Sequence, residues 1–106
     1  GSASNVWAVG DAGTAVHWDG ARFQSVPTDA TAQLTSVWGA SDTDIWAVGD
    51  GATTLHYDGS RLAKVANTAA SVELLNSVWG TGPSDVWVAG SAGTVMRWNG
   101  QGFFPK

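Results

Sequence analysis

One segment is written three times in this chain. Val6-Trp-Ala-Val-Gly-Asp-Ala-Gly-Thr-Ala-Val-His-Trp-Asp-Gly20 returns as Ile45-Trp-Ala-Val-Gly-Asp-Gly-Ala-Thr-Thr-Leu-His-Tyr-Asp-Gly59 and as Val86-Trp-Val-Ala-Gly-Ser-Ala-Gly-Thr-Val-Met-Arg-Trp-Asn-Gly100, aligned without a gap. Trp7, Trp46 and Trp87 are 39 and 41 residues apart. A period near 40 made of short β-branched and aromatic runs indicates small repeated sheets. Such a unit cannot bury both of its faces alone, so each depends on its neighbours.

Each unit reads as four short strands. The first is Leu34 to Gly39, matched by Leu75 to Gly80. The second is Asp44 to Gly49, matched by Asn5 to Gly10 and Asp85 to Gly90. The third is Thr53 to Tyr57, matched by Thr14 to Trp18 and Thr94 to Trp98; the fourth is Arg61 to Val65, matched by Arg22 to Val26 and Gly102 to Lys106. The pairs Asp19-Gly20, Asp58-Gly59 and Asn99-Gly100 predict hairpin turns, because both residues of each pair tolerate positive φ. Ala40 to Thr43 and Thr81 to Ser84 read as turns as well. Pro27 to Gln33 and Ala66 to Glu73 are the linkers, where the difference in spacing falls. In the second strand Val6 and Ala8 point one way and Trp7 and Val9 the other, all apolar, which predicts cover on both faces. The units divide as 3–33, 34–74 and 75–106. The first lacks a Ser-Val-Trp-Gly strand. Gly1-Ser2 reads as a scar of tag cleavage and fits an excised or engineered piece.

Charged residues make up 13 % of the chain, about half the share in an average domain, while it holds seven tryptophans and 14 glycines. Sheet, tight turns and contact area are what such a composition supplies. The net charge is −4, and Arg22, Arg61, Lys64, Arg97 and Lys106 are scattered. Nucleic-acid binding, which needs clustered cations, is not expected. No apolar run approaches 18 residues, so no membrane span is expected. The chain has no cysteine and therefore neither disulfides nor thiolate metal sites. The compartment is left open, with secretion of a parent protein one alternative.

Candidate chemistry is thin. His17 and His56 share one repeat position, which Arg97 takes in the third unit. A general base or metal ligand is an asymmetric site with defined partners, so a strand role is the reading for both histidines. Asp19, Asp58 and Asn99 read as turn formers beside Gly20, Gly59 and Gly100, and Asp44 and Asp85 as turn caps. The oxygen ligands show no ordered calcium pattern. No nucleophile, base and orienting group stand together, so no catalytic residue, metal or cofactor is expected. Trp7, Trp46 and Trp87 read as packing between units. Trp18, Tyr57 and Trp98 close the third strand and Trp38 and Trp79 the first. These five are candidate ligand-binding residues, since an indole or phenol ring stacks on the apolar face of a sugar.

The motifs Ser-Val-Trp-Gly, Asp-Ile-Trp-Ala-Val-Gly, Gly-Thr and Trp-Asp-Gly resemble those of bacterial β-propellers with short blades. The Asp-Gly turn is also similar to that of Asp-box propellers such as sialidases, but the leading Ser and the closing Gly-x-Thr-Trp are missing, so no sialidase activity follows. The resemblance implies an all-β fold: a propeller fragment with four-stranded antiparallel blades, two complete and one without its first strand. Fewer than four blades do not close a ring, so homo-oligomerisation is expected, a dimer being the favoured form. The functional expectation is a non-enzymatic scaffold that self-assembles. The alternative is a lectin-like, glycan-binding propeller with one shallow site per blade, in the manner of tachylectin-like lectins.

Overall fold

The computed structural model describes residues 6–18, 21–41, 44–57, 60–65, 67 and 74–105, without the side chains of Ala40, Ser41 and Ala92. Asn5, Asp19, Gly20, Asp58, Gly59 and most of the second linker lie outside the described residues.

The described chain is all-β and forms three antiparallel sheets, each a meander in chain order. Sheet one contains β1 (Val6–Val9), β2 (Ala15–Trp18) and β3 (Phe23–Ser25). Sheet two contains β4 (Leu34–Ser41), β5 (Asp44–Gly49), β6 (Thr53–Tyr57) and β7 (Leu62–Lys64). Sheet three contains β8 (Leu75–Gly82), β9 (Asp85–Gly90), β10 (Val95–Trp98) and β11 (Phe103–Pro105). Strands β4 and β8 run past the turns expected at Ala40 and Thr81. The cause is a register shift after Gly39 and again after Gly80, which lets the ladder continue to Ser41↔Asp44 and Gly82↔Asp85. Bulges recur at matching positions in the two sheets, as a local feature written into each repeat.

The recurring threonine ahead of the third strand has a local cause. Thr14 and Thr53 donate their hydroxyls to the carbonyls of Asp11 and Asp50, at 2.6 and 2.7 Å, and so close the turn between the second and third strands. Two successive left-handed residues complete that turn: Ala12 (φ +56°) with Gly13 (+73°), and Gly51 (+67°) with Ala52 (+55°). An alanine in this region costs about 1–2 kcal/mol. Ala12 is exposed, so Ala12→Gly removes the strain without removing packing. We expect it to raise stability by about 0.5–1 kcal/mol in urea unfolding, the relief being partly offset by a freer unfolded chain. At Asn99-Gly100 only Gly100 takes positive φ (+99°). Asn99 instead accepts the amides of Gln101 and Gly102 through Oδ1, at 2.9 and 3.2 Å. The turn is set by a side-chain acceptor rather than by two left-handed residues.

The linker after sheet one does more than connect. Leu62 N–H donates to the Pro27 carbonyl and Asp29 N–H to the Leu62 carbonyl, at 2.9 and 3.0 Å, so this segment runs beside β7 and covers its edge.

Sheet two lies between the other two. Trp7, Val9, Ala15 and Val26 of the first repeat pack on Leu34, Ala47, Leu55 and Leu62 of sheet two. On its other side Trp46 and Val48, with Trp38, pack on Leu75, Val78, Val86, Val88, Met96 and Phe103 of sheet three. Full burial of such side chains contributes about 1.5–3 kcal/mol each, which makes these two layers the core. The expectation of cover on both faces therefore holds for the middle sheet, where Ile45, Trp46, Ala47 and Val48 are all buried. Along β1 and β9 the pattern alternates instead: Val6 and Ala8 are exposed, while Val86 and Val88 are buried.

Candidate functional site

Both junctions are built the same way. The face that carries the second-strand Trp of one sheet lies on the opposite face of the next. Trp7 meets Tyr57 edge-on with ring centroids 5.0 Å apart. Trp46 meets Trp98, the residue equivalent to Tyr57, at 4.9 Å, and meets Phe103 edge-on at 5.5 Å. Contacts of this type contribute about 0.5–1.5 kcal/mol beyond the area they bury.

Two faces of the stack have no such neighbour among the described residues. On sheet one, cross-strand register places Val6, Ala8, Val16, Trp18 and Phe23 on one face. On sheet three it places Trp79, Trp87, Ala89, Val95, Arg97 and Phe104 on one face. The repeat supplies an internal control. Val6 is 45 % exposed, while its equivalents Ile45 and Val86 are 3 % and 0 % exposed. Phe23 is 57 % exposed, against 0 % for Leu62 and 5 % for Phe103. Position and chemistry are held constant, so the difference is whether a preceding sheet lies on top. Trp79 is likewise 45 % exposed and stacks on Trp87 at 6.4 Å. Two contiguous apolar faces on so small a chain are the mark of an interaction surface.

Sheets two and three also carry a polar clasp between their second and third strands. Asp44 pairs with His56, whose ring lies 4.4 Å from that of Trp46. Trp7 stacks on His17 at 4.6 Å. In sheet three Asp85 accepts from Arg97 Nε at 2.6 Å, from Thr81 Oγ1 at 2.5 Å and from Trp87 Nε1 at 3.1 Å. The Asp residues therefore reach across to the third strand rather than only capping a turn. The indole N–H groups of Trp7 and Trp46 are buried without a hydrogen-bond partner, whereas that of Trp87 has one. The signal in the sequence was the joint change: an Asp stays at one position while its partner twelve residues on changes from His56 to Arg97 and keeps its ability to donate.

The Thr81 hydroxyl first, and the Arg97 guanidinium beside it, hold the Asp85 carboxyl below the usual carboxylate range. A depressed folded-state pKa contributes stability that is complete above the unfolded value and is lost as pH falls through the folded one. We expect the advantage of the native chain over Asp85→Asn to be constant above about pH 5 and to shrink below about pH 4, in urea titrations at stepped pH. An advantage that grows on acidification would contradict the clasp.

Of the residues singled out from sequence, Trp7, Trp38, Tyr57 and Trp98 lie half-buried at the junctions between sheets, and Trp46 lies there fully buried. Trp18 packs on Phe23 at 5.0 Å on the open face of sheet one, and Trp79 and Trp87 stand on the open face of sheet three. Aromatic residues at one repeat position thus occupy junctions inside the stack and open surface at its ends. Among the described residues no three His, Cys, Asp or Glu side chains stand together as a metal-binding group. No family model, curated protein or solved structure matches the chain.

Proposed function

We propose that the chain is a non-enzymatic propeller fragment whose activity is self-assembly, with the Trp face of sheet three docking on the open face of sheet one of a second copy. One observation carries the reading: the two open faces are the same two surfaces that meet at both internal junctions. The repeat equivalences then name the contact. Trp87 of one copy should lie against Trp18 and Phe23 of the next, as Trp46 lies against Trp98 and Phe103. Such an interface is heterologous, front to back, and closes into a ring when the rotation between copies allows. A dimer would be the smallest closed form.

The chain has no cysteine, so introduced thiols report on contact without background. Trp87→Cys and Phe23→Cys chains, mixed under mild oxidation, are expected to form the mixed disulfide. Each alone should stay largely uncrosslinked, because front-to-back docking does not bring a residue onto its own copy. Self-crosslinking as fast as mixed crosslinking would reject the front-to-back arrangement.

A further inference from the structure

We infer that the free edge of β1 is a docking site for an extended strand of the pattern Leu-Xaa-Ser-Val-Trp-Gly, the pattern that β4 and β8 present to β5 and β9. This concerns a sheet edge rather than a sheet face and stands independently of the self-assembly reading.

In sheets two and three the second strand has a partner on each side. β4 pairs with β5 and β8 with β9 in the same register, Trp38↔Trp46 and Trp79↔Trp87, with matching bulges. In sheet one β1 is an edge, and no described strand occupies that side. Its backbone groups are therefore a template for another chain.

Two glycines show the shape of what is accommodated there. At the end of the second strand, a Cβ on Gly49 would stand 2.1 Å from the Gln33 carbonyl oxygen, and one on Gly90 would stand 2.3 Å from that of Leu74. These are the residues just ahead of the first strand, and their close approach requires glycine. Gly10 is the equivalent position in sheet one, and a Cβ there would meet nothing within 4 Å. Its backbone is extended (φ −168°), so no left-handed conformation calls for glycine either. Gly10 thus provides the clearance that an incoming strand uses. The second glycine lies in β4. Trp38 reaches across to sheet three, where its Cη2 would be 3.0 Å from a Cβ on Gly80. Gly39, the equivalent of Gly80, is exposed, and Val37 is only half-buried where its equivalent Val78 is buried. A strand on β1 would place its own Trp over Gly39 as Trp38 lies over Gly80. Backbone pairing would give the affinity, and the Leu, Val and Trp side chains the specificity.

The test uses the full chain and a labelled synthetic peptide of residues 74–82. Fluorescence anisotropy is expected to show saturable one-to-one binding, and hydrogen exchange to show new protection of the Trp7 and Val9 amides, the two of β1 that face its open edge. The peptide change Ser77→Pro, which deletes a ladder donor, should weaken binding at least tenfold. So should Gly10→Val in the chain, while the melting temperature of the free chain stays as it was. The inference is overturned by absence of saturation at millimolar peptide, by affinity indifferent to both changes, or by protection elsewhere. Should Gly10→Val fail to fold, the Ser77→Pro peptide and the exchange map decide the matter alone. A chain that self-associates but ignores the peptide would remove this inference and leave the assembly reading standing.

Discussion

Phe23→Lys will leave the chain folded and prevent it from associating. Phe23 is more than half exposed on the open face of sheet one, so a lysine there keeps its ammonium in water and the chain keeps its two internal junctions. In the proposed interface the same side chain lies beneath Trp87 of the next copy, where an unpaired charge costs several kcal/mol. At about 1.4 kcal/mol per tenfold, association should weaken by at least about 100-fold. Circular dichroism should be unchanged while sedimentation shifts to the single chain. Phe103→Lys is the matched control: its side chain is buried against Trp46 and Trp98, so the same chemistry should unfold the protein. If both variants unfolded, or if Phe23→Lys associated as the native chain does, the open face would not be the interface.

The second large effect is expected at Trp46. It is 1 % exposed and bridges sheets two and three through Val48, Trp98 and Phe103. Trp46→Ala should cost about 3–5 kcal/mol, the usual range for deleting a buried aromatic side chain, which is a large share of the stability of a small domain. Trp79→Ala, on an exposed ring, should cost the dilute chain less than about 1 kcal/mol. Trp46→Phe should be far milder than Trp46→Ala. The indole N–H of Trp46 has no partner, so phenylalanine keeps most of the contact area and removes a buried donor that goes unmet. Urea unfolding of the three variants at one low concentration checks the order. Equal costs for Trp46→Ala and Trp79→Ala would mean that stacking of the sheets is not what holds the chain together.

Much of this was written locally and could be read from the chain. The spacing of Trp7, Trp46 and Trp87 gave the repeat, and alternation within Val6 to Val9 gave the two apolar faces. The strand set and the antiparallel order followed from the turn residues between them. Other features depend on what lies opposite and had no local signature. Bulges after Gly39 and Gly80 extend β4 and β8 because the ladder finds partners at Asp44 and Asp85, which propensity does not encode. Ala12 takes a left-handed conformation because the turn requires two such residues and Gly13 fills only one place. Asp44 and Asp85 looked like caps because the partners that engage them, His56 and Arg97, sit on another strand. The difference between Phe23 and Phe103 cannot be seen in one repeat, since it arises from the presence or absence of a neighbouring sheet.

Sedimentation equilibrium over a wide range of chain concentration bears most directly on the proposal that sheet faces are satisfied by further copies. The expected result is a species whose mass is an integer multiple of the single chain, dissociating only on strong dilution and lost in Phe23→Lys. A folded single chain at every concentration, with cooperative unfolding and both end faces in water, would contradict it.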